Sequence, residues 1–311
     1  MLDEDAARRP ECALTLQHSS WVTSLSLRGG LLATAANNGV ATLWRLPDGE
    51  QLLSLPHNEP INALRLSAEF LVCGCQKGTV AVWSVPHGQL VREMRHTESV
   101  GAVAIDDAQE GEEVTLLATG SDDLTAAVWR LPACERIAQV RREASVGTIA
   151  LGGGHLVTGC DDGDVSVWAL PSCAAPLLQI AAPHSGRWVC SMALHSGVVV
   201  CASAQRTVSA WSLPSGNLLF ELNFEDMVLS VALHGQLLAC GSRDGSTTLW
   251  RLPSGQRLLG FEHDEAEAVV RGGEGRGTVP IYAVALEDGL LACAPQDCSA
   301  VVWKVGEEEL L

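Results

Sequence analysis

Apolar residues in this chain arrive in short bursts, each closed by Gly, Pro, Asp or Ser. Some bursts alternate. In Val22 to Leu27, Val22, Ser24 and Ser26 share one side and Thr23, Leu25 and Leu27 the other, the two-residue period of a β-strand. Leu237 to Phe261 shows how the bursts connect. Leu237 to Gly241 is an apolar strand. Arg243, Asp244 and Gly245 form a turn, because Asp and Gly tolerate the backbone angles of a tight hairpin. Ser246 to Leu252 is a second strand, Pro253, Ser254 and Gly255 a second turn, and Gln256 to Phe261 a third strand. No stretch sustains a helical period, so the expected fold class is all-β.

The middle strand of that unit carries Trp250, and the same phrase returns at Trp44, Trp83, Trp129, Trp168, Trp211 and Trp303. All but the last are followed three positions on by Pro: Pro47, Pro86, Pro132, Pro171, Pro214 and Pro253. Subtracting residue numbers gives spacings of 39, 46, 39, 43, 39 and 53, a period that fills the chain and leaves nothing for a second domain. The units run Trp21 to Pro56, Ile61 to Arg95, Val100 to Arg141, Val146 to Ala182, Val189 to Asn223, Val228 to Phe261 and Ile281 to Val305. The third holds an acidic insertion, Asp106 to Glu113, and a Gly- and Glu-rich segment, His263 to Pro280, delays the seventh. Residues 1–10 read as a disordered tail and 306–311 as a short acidic one. The seventh unit stops after three strands. Glu11 to His18 is a lone strand like the last strand of a repeat (compare Gln89 to His96). It is expected to complete the seventh unit, so that residues 11–305 form a single closed domain.

Charge narrows the partners. There are 20 Lys and Arg against 37 Asp and Glu, a formal net of −17. A phosphate backbone would be repelled, so no nucleic acid is expected, whereas a basic protein suits the balance. The 11 Cys include no CxxC pair. Cys73-Gly74-Cys75 lies in a predicted strand without a second pair to complete a zinc site, so neither metal nor cofactor is expected. Reduced thiols in the cytoplasm or nucleus are the expectation. The first ten residues lack the apolar core of a secretory signal, and no run approaches the ~18 apolar residues of a membrane span.

The recurring Trp, the turn chemistry and the overlap of the two ends resemble the WD40-repeat family over nearly the whole chain; its repeats are roughly 40–45 residues long. The resemblance implies a seven-bladed WD40-like β-propeller closed by pairing of the N- and C-terminal strands. It also implies a hydrogen-bonded group in each blade: a His before the first strand, a Ser or Thr on the second, an Asp in the next turn, and the Trp. The third repeat matches fully, with His96, Thr119, Asp123 and Trp129. The first has His18, Thr34 and Trp44, with Asn38 in the Asp place. The fourth keeps Thr158, Asp162 and Trp168 without a His, and the seventh offers Asp297, Trp303 and His263. Elsewhere the chain departs from the pattern. Cys73, Cys201, Cys240 and Cys293 stand in the Ser/Thr place, Lys77 and Gln205 replace the Asp, and no repeat Trp is followed by Asp.

Candidate chemistry is sparse. Asp161-Asp162-Gly163-Asp164 lacks the spacing and distal Glu of a calcium loop and reads as a blade turn. Gly272 to Thr278 lacks the GK[ST] of a phosphate loop, and neither GxSxG nor HExxH occurs, so no enzyme is expected. Two Trp residues, Trp21 and Trp188, lie outside the repeat position, each just before a first strand. The resemblance implies that this place faces a partner-binding mouth. A partner bridging the mouth is expected to touch both rings, with Arg187 and Arg142 adding polar contacts. The expected function is a non-catalytic protein-interaction scaffold or adaptor, acting as a monomeric ring or inside a larger complex. Alternatives are the substrate-recognition subunit of a ubiquitin ligase and a reader of basic tails such as histones; a propeller enzyme ranks behind both.

Overall fold

The computed structural model describes residues 10–107, 114–180, 188–263 and 279–305. Among these there is no helix. Twenty-eight strands form seven antiparallel sheets of four, each in simple up-and-down order. Blades one to six begin with the strands Val22–Arg28, Ile61–Leu66, Val100–Asp106, Val146–Gly152, Val189–His195 and Val228–His234. Blade seven takes Ile281–Glu287, Leu290–Pro295 and Ser299–Lys304 from the end of the chain and Glu11–Gln17 from its beginning. The expected closure is present: Glu11 pairs with Lys304 and Gln17 with Ser299.

Burial grades from the axis outward. Second strands are covered on both faces; every residue of Phe70–Cys75 is buried. Outer strands are half solvated, as in Leu90–Arg95, where only Met94 is buried. The core is a ring of seven apolar wedges, each straddling two neighbouring blades. The wedge between blades one and two, for example, joins Leu43 and Leu55 to Ile61, Leu64 and Leu71, and that between seven and one joins Leu16 and Val302 to Val22 and Leu32. Close approach there dictates small residues. A Cβ at Gly74 would meet Val100 Cγ1 of the next blade at 2.7 Å, and one at Gly241 would meet Ile281 Cγ2 at 2.7 Å. Hydroxyls stitch the inner strands together. Ser24, Ser26, Ser191 and Ser230 each accept a backbone N–H from the following blade, from Leu64 (3.1 Å), Leu66 (3.0 Å), Val231 (3.1 Å) and Val284 (3.0 Å). Burying those N–H groups unpaired would cost about 1–3 kcal/mol each.

Candidate functional site

One backbone hydrogen bond fixes the residue that leaves six of the seven outer strands, the residue after Pro176–Ile180 lying outside the described residues. The N–H groups of His18, His57, His96, Arg142, Phe224 and His263 all bond a carbonyl in the turn before a third strand, at 2.7–3.2 Å. Each of these side chains is thereby delivered to the repeat Trp of the following blade or, for His263 and His18, of blades seven and one. Blade three assembles the full group. Trp129 Nε1 donates to Thr119 Oγ1 (3.0 Å), which also meets His96 Nε2 (2.8 Å), and His96 Nδ1 meets Asp123 Oδ2 (3.0 Å). Burial alone would raise the Asp123 carboxyl. Hydrogen bonds from Thr125 and Thr97, together with His96, outweigh it and hold the pKa below the ordinary value.

The other blades solve the same problem with other groups. Trp44 donates to Thr34 (3.0 Å) and Trp168 to Thr158 (3.1 Å). In blade one Asn38 turns to Ser19 (2.8 Å), and burial lowers His18 to a pKa of about 4. In blade two, with Cys73 in the Thr place, Trp83 donates to His57 Nε2 itself (3.2 Å). Glu59 does the work of the missing Asp by accepting the Lys77 N–H and the Thr79 hydroxyl. In blade six Trp250 finds Thr248 on its own strand (2.8 Å) and the edge of Phe224. Trp211 is buried in the wedge between blades four and five. The Cys residues in these places are buried thiols; burial pushes Cys293 up to about 12.

Arg142 takes the place of the His that blade four lacks. Its guanidinium pairs with Asp164, lies 5.4 Å from the centre of the Trp168 ring, and is only 11% exposed. Asp162 accepts the Asp164 N–H (3.0 Å), so the Asp-rich stretch is a blade turn in which Arg142 matches the charge of Asp164 alone. Arg187, the Gly272 to Thr278 loop and residues 108–113 of the acidic insertion lie outside the described residues. The described start of that insertion is at the far end of the ring from the mouth, where Asp107 bridges Arg28 at 2.6 Å.

The mouth is the end at which the chain enters every first strand. A carbonyl just before each first strand accepts an N–H from the turn after the second, and this sevenfold bond places Trp21, Pro60, Ser99, Ser145, Trp188, Met227 and Pro280 in one circle. Trp21 is 47% and Trp188 57% exposed. Trp188, Met227, Leu229, Pro280 and Tyr282 wall a depression of about 410 Å³, with Asp161 and Arg243 on its border. Trp21 is not part of its wall. Burial raises the Asp161 carboxyl, and the like charges of Asp122 and Asp162 raise it further.

Below the mouth runs the channel. Its upper cavity, about 130 Å³, includes Ser24, Thr148, Ser191 and Ser230 in its wall. Its lower cavity, about 210 Å³, is ringed at one level by Ser26, Ala104, Ala150, Ala193, Ala232 and Ala285 and, in blade two, by Arg65. Arg65 went unnoticed in the sequence. The signal was there: with the first strands aligned, six blades hold Ala or Ser at this place and one holds Arg.

No protein-family profile matches the chain, and no curated protein matches it. Among solved structures, the crystal structure of the computationally designed Ika8 protein is similar, with a TM-score of 0.68 at 19% identity, covering 94% of this chain and 99% of that one. At that identity the likeness is one of architecture alone. The chain is a seven-bladed β-propeller.

Proposed function

We propose that the protein is a non-catalytic interaction scaffold of the WD40 type, which binds a protein segment across the Trp-bearing mouth. The observation that carries this reading is Trp188, an indole left more than half exposed on the wall of an apolar depression. A large ring held in water beside Met227, Leu229 and Tyr282 is the kind of anchor on which interface energy concentrates. The acidic arc of Asp122, Asp161 and Asp162 favours a segment that brings a Lys or Arg beside its apolar residue, because a cation there relieves the mutual repulsion of these carboxylates. This supports the reading as a reader of basic segments over the ubiquitin-ligase version, which no residue on this face favours. The buried free thiols suit a reducing compartment, cytoplasm or nucleus.

The test is affinity purification with the full chain, followed by titration of each recovered protein. Trp188→Ala is expected to weaken binding by about thirtyfold, roughly 2 kcal/mol, with an unchanged melting curve. Trp21→Ala, outside the depression, is expected to weaken it less. Undiminished affinity in the double variant would move the binding surface elsewhere.

A further inference from the structure

We propose that the central channel is a binding site for one small oxyanion, phosphate-like in charge and shape, held by Arg65. The observation is a cation where the fold asks for a methyl group. Six blades close the lower ring with Ala or Ser, and blade two alone projects a guanidinium into the lumen, where it lines both cavities. Among the described residues, no Asp or Glu lines either one. The one partner of Arg65 among the described residues is the carbonyl of its neighbour Leu64, at 2.9 Å from Nη1. A guanidinium carries five N–H donors in a fixed fork and stays charged in proteins, so the remaining donors address whatever fills the channel. Burial lowers its pKa without any opposing carboxylate.

Other donors converge on the same space. Ser191 and Ser230 spend a lone pair on the next blade, which leaves each hydroxyl hydrogen free to point into the upper cavity they line. Two described carboxylates at the far rim are engaged: Glu287 accepts the Gly29 N–H at 2.7 Å and Asp107 pairs with Arg28. A fork facing hydroxyls in a space of this size matches a tetrahedral oxyanion, which accepts two parallel N–H bonds, and excludes anything as large as a nucleotide. The chain's formal charge of −17 repels anions in general, so selective uptake of one would report a site and not a loose atmosphere.

The experiment uses the full chain and inorganic phosphate. Equilibrium dialysis is expected to show one saturable phosphate per chain, displaced by sulfate and not by chloride. At phosphate about a hundredfold above its Kd, the melting midpoint should rise by roughly 5 °C over a chloride control of matched ionic strength. Arg65→Ala installs the residue that five other blades carry at this place. It is expected to fold, to lose phosphate binding and to lose the phosphate-dependent rise. Arg65→Lys keeps the charge without the fork and should weaken binding roughly tenfold, about 1.4 kcal/mol. No saturable binding to the unmodified chain, which needs no variant to observe, overturns the proposal. So does binding that survives undiminished in Arg65→Ala.

Discussion

Blades three and seven share one plan and meet it with different chemistry. In blade three Thr119 is a hub between Trp129 and His96, and Asp123 locks the His from the far side. In blade seven Cys293 occupies the hub position. His263 turns to Thr247 of blade six (3.1 Å), Phe261 packs 4.9 Å from Trp303, and the Trp303 N–H is buried with no partner among the described residues. Blade seven is also the blade drawn from both ends of the chain. The hydrogen-bonded hub is therefore an addition to the propeller and not its foundation. What every blade retains is the wedge: apolar second and third strands pressed between neighbours, which supplies the greater part of the stability.

This contrast can be broken or sharpened by experiment, and the largest effect is expected at the closure. Deleting residues 1–18 removes the fourth strand of blade seven with Leu14 and Leu16, a loss of about 5 kcal/mol, and bares a strand edge. Urea unfolding should show an early, less cooperative transition; a deletion variant as stable as the full chain would mean that the ring does not depend on its closing strand. Next, Trp129→Ala should cost about 3–5 kcal/mol and exceed Trp303→Ala by about 1 kcal/mol, because only the first breaks a hydrogen bond. Equal losses by thermal unfolding would leave the hub without energetic meaning.

Acid should then separate the two regions. His18, which follows the closing strand, is half-buried with no carboxylate among the described residues shifting it, and its folded pKa of about 4 lies below the unfolded value of 6.5. The unfolded chain binds that proton first, so the stability is fully present above pH 6.5 and is lost as pH falls toward 4, by at most about 3 kcal/mol. Asp123 is a carboxylate with a depressed pKa. Its contribution is present above the ordinary 3.8 and is lost only below it. Denaturation midpoints across pH 7 to 3 should therefore fall first through His18, and His18→Asn should flatten the upper part of that fall. The smallest effect belongs to Cys293→Thr, which offers the Trp303 N–H an acceptor and should stabilise by about 1 kcal/mol in the same assay.

Much of this architecture can be read from the chain because its signals are local and repeated. The Trp phrase marks each blade, Asp-Gly turns mark four of the seven, and a seventh unit one strand short calls for Glu11–Gln17. The substitutions inside the blades are harder to read, because each depends on a partner brought in by the fold. Arg142 looks like a loop arginine until the missing His of blade four and the position of Asp164 are both known. Glu59 sits in the loop before the first strand and Lys77 in the turn after the second, 18 residues away, so nothing in their spacing says that Glu59 stands in for an Asp. The mouth is legible as a position, since Trp21 and Trp188 precede first strands, but the depression beside Trp188 is not, because its wall is gathered from blades four to seven.

The pairing of Glu11 with Lys304 sets an order in time. On the ribosome, Glu11–Gln17 emerges ahead of every other described strand yet belongs to the last blade, and 304 − 11 = 293 residues separate the two partners. At roughly 5–20 residues per second, the early strand waits about 15–60 s for the strand it must join. Six blades can form meanwhile, each from contiguous chain. A waiting strand rich in β-branched apolar residues would invite pairing with other nascent chains. Glu11–Gln17 instead carries Glu, Cys, Thr and Gln, four of its seven residues are exposed even in the finished ring, and Leu16 alone is fully buried. Its plainness is what lets it remain single until Ser299–Lys304 emerges and the ring closes on it.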